Sequence, residues 1–354
     1  MPEAPVIYRI DDATLAAAVA ARRRTLLDRL ADSCGRHLAS GSGQVAARLA
    51  DRLEGHADHF LPASVNMDLL AVHYQDRYRR ASIAVFMLAA VALIVVAAQY
   101  IFHLPHWIVA GEVSAIAGVL LIFHLGNRRG WHRHWVDCRF LAERMRCGFH
   151  VAFLCGRTNA EAEMHWSDRL VEGSWCLAEF ERLWRTRPAF EPPPSAALPA
   201  LADFMKRHWI GRQRSFHEGK ERRQARAHRL VSRASSSMFW LTFVTAIVHL
   251  LPHGWLHAAH LDRVLDPRLL TFLVIAFPAL GSAFTGLRGH FEYKKHAMRS
   301  GVMVRLLGEL EARLEEIASL EDLYHVVWEA ERLMLQENAG WHLNTGFNEI
   351  EVEA

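Results

Sequence analysis

Charged residues are missing from several long parts of this sequence, although they make up 22% of its 354 residues. Residues 81–104, 234–261 and 269–287 contain no Asp, Glu, Lys or Arg, and Glu112 is the only such residue within 107–127. A membrane-spanning helix needs about 20 apolar residues, more than most buried helices of soluble proteins contain. We therefore predict four membrane-spanning helices, at residues 81–104, 107–127, 234–254 and 269–287.

The sequence also lacks the short motifs of common enzyme classes. It contains no dinucleotide-binding GxGxxG, no P-loop, no GxSxG nucleophile turn and no HExxH zinc motif. Its five cysteines form no CxxC pair, and Cys147 and Cys155 with His150 match no usual zinc spacing. We therefore expect a chain without enzymatic activity and without a cofactor, whose cysteines are reduced thiols.

Basic residues lie beside the predicted spans, whereas the turns around residues 102–106 and 260–268 carry no excess of Lys or Arg. The flanking residues include Arg77, Arg79, Arg80, Arg128, Arg129, Arg133, Arg229, Arg233, Arg288, Lys294 and Lys295. The positive-inside rule then places these flanks in the cytoplasm and the two turns outside. Both termini and the middle segment should be cytoplasmic. Residues 1–12 do not resemble a signal peptide, so the first span should act as the insertion signal.

One boundary occurs twice in the sequence. RRASIAVFMLAA (79–90) and SRASSSMFWLTF (232–243) both place Arg-Ala-Ser before an apolar run, with a Phe six positions after the Arg. This echo predicts a tandem repeat, in which each copy is a basic helix, a membrane hairpin and a second basic helix. The alternative is that any two hairpins with basic flanks acquire similar boundaries.

The remaining segments show helical spacing of apolar residues and no alternating strand pattern. The predicted fold is an all-α polytopic membrane protein, with four transmembrane helices in two tandem hairpins and helical cytoplasmic extensions. Residues 131–155 should continue the second span as one long helix, and the prolines of 188–199 should form a linker. The predicted regions are an N-terminal helical region (1–65), the first hairpin with its helix (66–157), a helical segment with the linker (158–208), the second hairpin with its helix (209–317) and a C-terminal helix and tail (318–354).

The stretch WHRHWVDCRFLAERMR (131–146) resembles the signature of the SLATT family of bacterial membrane proteins. Three further stretches resemble the same broader group of bacterial proteins: WIGRQRSFH (209–217), PALGSAFTGLRGHFEY (278–293) and MLQENAGW (334–341). The resemblance covers most of residues 66–341. It implies an inner-membrane effector of a bacterial conflict system linked to nucleotide signalling, whose helices oligomerise and permeabilise the membrane. It also implies that Arg139, Glu143 and Arg144 belong to a helix that couples a trigger to the spans.

The sequence departs from the fuller family pattern because residues 1–65 are too short and too helical for a nucleotide-binding sensor domain. A separate cytoplasmic sensor protein is therefore an expected partner, beside the lipid bilayer and further copies of the chain. The alternative for Arg139, Glu143 and Arg144 is a salt-bridged surface helix that faces lipid headgroups.

Two residues within the spans are candidates for a pore or a gate. A carboxylate inside a bilayer is costly and usually faces protein or water, so Glu112 is a functional candidate, with His103 and His106 as its expected partners. Its place near the outer interface also fits a hydrated structural carboxylate. Pro278 removes one backbone hydrogen bond from the fourth span and predicts a kink, either a gate or a static bend.

Small residues recur every four positions in two of the spans. Such spacing lets helix backbones approach closely, either within one protomer or at an oligomer seam. The candidate packing residues are Ala110, Ser114 and Gly118 in the second span, and Ala279, Gly281, Ser282, Ala283 and Gly286 in the fourth.

Histidines gather near the second outer turn, at His249, His253, His257 and His260. His253, His257 and His260 are candidate metal ligands, but no Cys joins them, and histidines also suit a membrane interface. The basic stretch HEGKERRQARAHR (217–229) lacks interleaved aromatics and lies beside a span, so we expect it to meet lipid headgroups and not nucleic acid. Two alternatives to a pore-forming effector remain: a metal or proton transporter or sensor that uses Glu112 and the outer histidines, and a passive scaffold that recruits a cytoplasmic partner.

Overall fold

The computed structural model describes residues 9–155, 175–251 and 266–346. Within these residues every regular element is a helix and no β-strand occurs, which confirms the all-α prediction. The α-helices are α1 (Asp12–His37), α2 (Gly43–Phe102), α3 (Val109–Arg128), α4 (Trp131–Cys155), α5 (Trp175–Arg185), α6 (Leu198–Met205), α7 (Gly211–Leu250), α8 (Pro267–His290), α9 (Tyr293–Arg313) and α10 (Leu320–Gly346). Short 3-10 helices precede α3 and α6, and a π-helix, Lys206–Ile210, joins α6 to α7.

Four helical stretches of the described chain are long and apolar enough to cross a membrane. They are Gly43–Phe102, His106–Arg128, Ser195–Leu250 and Pro267–Arg313. The four predicted spans fall within these stretches, except for residues 103–104 and 251, which follow the helix ends, and residues 252–254, which lie outside the described residues. Charge-free runs therefore located apolar helices of the length that a bilayer core requires.

Local capping explains several helix ends. Asp11 precedes α1 and its carboxylate accepts a hydrogen bond from the Thr14 amide, at 2.7 Å. Asp266 does the same at α8, accepting from the Arg268 amide at 2.8 Å, and Pro267 follows it in the first turn, where a missing N–H costs nothing. Gly41, with φ of 107°, turns the chain between α1 and α2 in a conformation that favours glycine.

The long helix predicted at residues 131–155 is confirmed as α4, Trp131–Cys155, but the prediction that it continues the second span without a break is wrong. The helix of the second span ends at Arg128, and α4 begins at Trp131. Gly130 between them has φ of 53°, in the left-handed region that ends helices. The physical reason is the glycine, which permits a backbone conformation that an uninterrupted helix does not use.

The described residues divide into two compact units. Residues 9–75, 131–155, 175–219 and 301–346 form the first unit, which we call the polar unit. Residues 76–130, 220–251 and 266–300 form the second, which we call the apolar unit because it holds the predicted spans. The helices α2, α7 and α9 each contribute residues to both units without a break.

Helix α4 lies at the centre of the polar unit. Leu141, Met145 and Phe153 on this helix are 0% exposed. They belong to one apolar core together with Leu323 and Val327 of α10, which are also fully buried. The helix that was expected to lie near the membrane surface is therefore a core element, held by burial of apolar side chains on several of its faces.

The proline-rich stretch 188–199 is only partly irregular. Residues 188–194 are not helical, as the prolines predict, but a 3-10 helix covers Ser195–Ala197 and α6 begins at Leu198. Phe190 packs so closely against α2 that a Cβ atom at Gly55 would lie 2.7 Å from the Phe190 ring. This stretch is therefore packed into the polar unit.

Candidate functional site

Helix α8 organises the packing of the apolar unit. The Phe86 ring of α2 covers Gly286 of α8, and the Phe239 ring of α7 covers Gly281. Near the other end of α8, Phe102 and Phe272 pack with ring centroids 5.5 Å apart. Glycine at these two contacts lets α2 and α7 approach α8 closely.

The repeated Arg-Ala-Ser boundary has a structural counterpart on α8. Ser82 is 1% exposed, and its Oγ lies 3.1 Å from His290 Nε2. Ser235 is 4% exposed, and its Oγ lies 2.7 Å from Thr285 Oγ1. In both copies a Phe lies four residues after the Ser. Its ring packs on a glycine of α8, and this glycine lies four residues before the α8 residue that the Ser contacts. The two copies therefore use the same Ser and Phe positions to contact neighbouring turns of one helix.

The predicted packing residues of the second span divide into two groups. Gly118 lies against α2, where an added Cβ would be 3.2 Å from Leu88 Cδ1. Ala110 and Ser114 are exposed, and the Ser114 hydroxyl donates to the Ala110 carbonyl of its own helix at 2.6 Å. Only Gly118 of this set packs between helices within the chain.

Glu112 lies in the first turn of α3, where the helix dipole favours a negative charge. Its side chain is half-buried, and it forms no ion pair with another described residue. The expectation that His103 or His106 pairs with it is therefore wrong for this structure. The free carboxylate lies on a helix whose apolar stretch is only 6% buried.

Pro278 lies inside α8, which continues through it to His290. Because proline has no N–H, the carbonyl of Val274 loses its usual helical donor. Ala276 and Ala279 beside it are buried, so the proline lies in a packed part of the helix. Helix α8 therefore combines a backbone defect with close helix contacts.

Arg139 and Glu143 belong to a charged cluster of the polar unit. Glu143 accepts hydrogen bonds from Arg139 and Arg146, both at 2.5 Å, and Asp68 of α2 lies 3.2 Å from Arg139. Burial opposes ionisation of Glu143, but the attraction of Arg146 and Arg139 outweighs it and lowers the pKa of Glu143 to about 2. The cluster therefore holds its charges at neutral pH.

Arg144 does not share this cluster. It is 1% exposed, and its guanidinium lies 4.7 Å above the ring of Phe180 in α5. A cation over an aromatic face gains electrostatic attraction, and the gain is larger where water is excluded. The sequence grouped Arg144 with Arg139 and Glu143, whereas the structure places it in the core.

A cavity of about 570 Å³ opens beside the charged cluster, wholly within the polar unit. We call it the arginine cavity because five arginines of α1, α4 and α7 line it: Arg22, Arg29, Arg139, Arg146 and Arg212. Asp68 is the one carboxylate residue of its lining. Its volume is in the usual range for small-molecule sites.

Aromatic residues form the buried wall of the arginine cavity. Trp209, 1% exposed, stacks on His150 with ring centroids 4.9 Å apart and an interplanar angle of 7°. Trp209 belongs to the π-helix Lys206–Ile210, and such segments occur frequently at functional sites. The Nδ1 atom of His150 lies 2.8 Å from the Arg146 carbonyl and therefore donates to it. Burial lowers the pKa of His150 to about 3, so this ring is neutral.

Some residues that line the arginine cavity show helical spacing in the sequence, within a stretch that the family resemblance also includes. Trp209, Arg212, Gln213 and Phe216 follow the i, i+3, i+4, i+7 spacing of one helix face, within the stretch WIGRQRSFH. Arg22 and Arg29 are seven residues apart on α1. Neither pattern reveals that the two faces meet, which is why sequence reasoning missed the cavity.

The candidate metal ligands His253, His257 and His260 lie outside the described residues. Among the residues that are described, no group of three His, Cys, Asp or Glu side chains could hold a metal ion. Comparison with known proteins adds no assignment, because no protein-family model, no curated protein and no solved structure matches this chain.

Proposed function

We propose that the chain is an inner-membrane effector of a bacterial conflict system, which oligomerises in response to a stimulus and permeabilises the membrane. The resemblance of residues 131–146 to the SLATT family, and of residues 209–217, 278–293 and 334–341 to the same broader group of proteins, supports the biological setting. The observation that carries the proposal is the large apolar surface of α3 and α7, which the described residues leave uncovered.

Membrane insertion is supported by the residues on that surface. The buried share of the apolar stretch is 6% for α3 and 11% for Ser195–Leu250, whereas it is 28% for α2 and for Pro267–Arg313. Large side chains such as Leu120 at 59% exposure and Trp240 at 67% point away from the helical packing. Soluble monomers rarely expose apolar patches of this kind, whereas lipid tails solvate them well.

The proposed arrangement is two tandem hairpins with their basic flanks in the cytoplasm. Gly111 of α3 faces Val95 of α2, and Gly118 faces Leu88. The residue numbers of the contacts therefore increase along α3 and decrease along α2, so the two helices are antiparallel. The same reversal relates α7 to α8, where Ser235 contacts Thr285 and Phe239 contacts Gly281. Antiparallel neighbours are what a pair of consecutive spans with a short turn produces.

A pore would form between protomers in this proposal. Helices α2 and α8 are the more buried pair, and α3 and α7 are the more exposed pair. Glu112, Ala110 and Ser114 all lie on α3, so a seam between copies of α3 would bring small residues and a carboxylate together. A separate sensor protein would start this assembly by clustering the polar units.

The experiment places clustering under external control. The full chain is fused to a domain that dimerises on addition of a small molecule, and is produced in a bacterial host while membrane potential and propidium uptake are followed. We expect depolarisation after clustering, and we expect Glu112→Gln and Pro278→Ala to reduce it at least severalfold. Thr242→Val is the matched control, because the Thr242 hydroxyl bonds only the Met238 carbonyl of its own helix.

Two results would contradict the proposal. The first is an intact potential although crosslinking proves clustering and alkaline extraction leaves the chain in the membrane. The second is depolarisation that Thr242→Val reduces as much as Glu112→Gln does, because the spans would then act without a defined carboxylate. The first result would favour the passive scaffold, and the second would refute the role given to Glu112.

A further inference from the structure

The arginine cavity carries more positive charge than its own residues neutralise. Of its arginines, Arg139 and Arg146 share the carboxylates of Glu143 and Asp68. Arg22 and Arg212 line the same cavity, and neither forms an ion pair with a described residue. Both side chains are exposed, so they form the rim of the cavity.

The rim arginines also repel one another. Partial burial lowers the pKa of Arg22, and the neighbouring charges of Arg146 and Arg212 lower it further, against the attraction of Asp68 and Glu143. Positive charges that lie close together repel one another, and an added anion relieves this repulsion. A bound anion would turn this repulsion into two charge-assisted hydrogen-bonding contacts.

The wall of the cavity offers hydrogen-bonding atoms that the chain does not use. His150 is 5% exposed and Trp209 is 1% exposed, and both line the cavity. The Nε2 atom of His150 and the Nε1–H group of Trp209 have no hydrogen-bond partner among the described residues. Buried polar atoms in proteins are nearly always paired, so this wall of the cavity is incompletely satisfied by the described residues.

The outer part of the cavity adds an aromatic surface. Phe216 lines it and is 40% exposed, and Arg139 lies 5.6 Å above its ring. Aromatic and cationic side chains in one concave site suit a small anion that has an organic part. A nucleic acid strand would instead need a long basic track.

We propose that the arginine cavity binds a small phosphate ester, whose phosphate contacts Arg22 and Arg212 and whose organic part packs against Phe216 and Trp209. Arginine is the side chain best suited to this group, since its guanidinium donates two parallel hydrogen bonds to phosphate oxygens. The inference goes beyond the proposed membrane function and does not depend on it. The same phosphate chemistry occurs in soluble metabolites and in lipid headgroups.

The test is calorimetric titration of the full chain in phosphatidylcholine nanodiscs with AMP and, separately, with glycerol 3-phosphate. We expect at least one of them to bind at up to millimolar concentration. Arg22→Ala and Arg212→Ala should each weaken binding about tenfold, as the loss of one charge-assisted contact predicts. Arg24→Ala is the matched control, because Arg24 is exposed on the same helix but does not line the cavity, and binding should change less than about twofold.

A second arm identifies the source of the phosphate. The AMP titration is repeated in nanodiscs that contain phosphatidylglycerol. Loss of AMP binding there would support the proposal with a lipid headgroup as the ligand, and unchanged binding would support it with a soluble ester. The proposal is overturned if neither probe binds, or if the Arg22→Ala, Arg212→Ala double variant binds as the native chain does.

These results stay separate from the test of permeabilisation. Binding that depends on Arg22 and Arg212, in a chain that leaves the membrane intact on clustering, would refute only the effector proposal. Clustering-dependent depolarisation in a chain without phosphate binding would refute only the ligand site.

Discussion

Arg52 of α2 forms hydrogen bonds with the carbonyl groups at the end of α4, in the interior of the polar unit. Its guanidinium donates to the carbonyls of Phe153 and Leu154, the latter at 3.0 Å, and lies 3.4 Å from that of Ala152. The last carbonyls of a helix have no partner within the helix, and their partial negative charge attracts a cation. The arginine, 3% exposed, is thereby paired despite its burial.

Arg52→Ala should therefore lower the free energy of unfolding by about 3 kcal/mol, because several buried carbonyls lose a charged donor. The measurement is thermal unfolding of the purified chain in nanodiscs, followed by circular dichroism. Arg48→Ala, one turn earlier on the same helix and exposed, should change stability by less than about 0.5 kcal/mol. Equal effects of the two substitutions would contradict this account of Arg52.

Asp203 of α6 gives the polar unit a pH-dependent contact. Its carboxylate accepts from Ser33 Oγ at 2.8 Å and from Arg36 and Arg207, both at 2.7 Å. Burial opposes ionisation, but these three donors outweigh it and hold the pKa of Asp203 well below its ordinary range. The folded chain therefore keeps this carboxylate ionised at a pH where the unfolded chain protonates it.

Asp203→Asn should lower the free energy of unfolding by about 2 kcal/mol at pH 7. The contribution of the carboxylate is complete above the unfolded pKa of about 3.9 and is lost as the pH falls towards the lower folded pKa. The difference in melting temperature between the native chain and the variant should therefore shrink below about pH 4. Asp28→Asn, exposed on α1, is the control, and a difference that stays constant down to pH 3 would exclude the linkage.

At the scale of the helix, close packing of α8 depends on one missing methyl group. A Cβ atom at Gly286 would lie 2.5 Å from Phe86 Cε1 and 2.8 Å from Cδ1. Gly289, one turn later on the same helix, has nothing within 4 Å of the corresponding position. Close contact with Phe86 therefore explains a glycine at position 286, whereas no such contact exists at Gly289.

Gly286→Ala should lower the free energy of unfolding by about 1–3 kcal/mol, because the Phe86 ring must move or α8 must shift. Gly289→Ala should leave it unchanged or raise it by up to about 1 kcal/mol, since alanine favours a helix. Thermal unfolding of both variants in nanodiscs decides between them. A Gly289→Ala variant that is as unstable as Gly286→Ala would contradict the contact with α2.

The sequence predicted which helices form better than it predicted where each helix begins and ends. The charge-free runs located the apolar parts of α2, α3, α7 and α8, because a bilayer-length apolar helix is a strong local signal. The sequence did not predict the break at Gly130, since a single glycine is tolerated within many helices. The π-helix Lys206–Ile210 was equally hidden, because its geometry depends on packing.

The candidate site shows the same limit at the scale of the whole molecule. Arg139 and Glu143 were selected through a family resemblance and lie beside the arginine cavity, but Arg144 of the same trio is in the core. The cavity draws its lining from segments of α1, α2, α4 and α7 that are far apart in the chain. No local pattern reports which of two basic helix faces will meet, so only the tertiary structure reveals their shared charge.

Burial across the polar unit makes its thiols inaccessible. Cys34, Cys138, Cys147 and Cys176 are buried and form no disulfide among the described residues, and burial with the nearby Asp137 charge raises the pKa of Cys138 to about 12. Buried, protonated thiols react slowly, because the thiolate is the reactive form. In a Cys155→Ser variant, a polymer-linked maleimide should label no cysteine of the native chain and all four after denaturation, as a gel shift would show. Labelling of two or more cysteines in the native chain would contradict this packing.

The π-helix sets the helical phase of the residues that follow it. A π turn holds one residue more than an α turn, and each residue advances an α-helix by about 100°. If Lys206–Ile210 became an ordinary α-helix with all its residues retained, Arg212, Gln213 and Phe216 would rotate by about 100° relative to α6. That change of backbone geometry would carry a basic and aromatic wall away from the cavity while leaving every one of its side chains in the sequence.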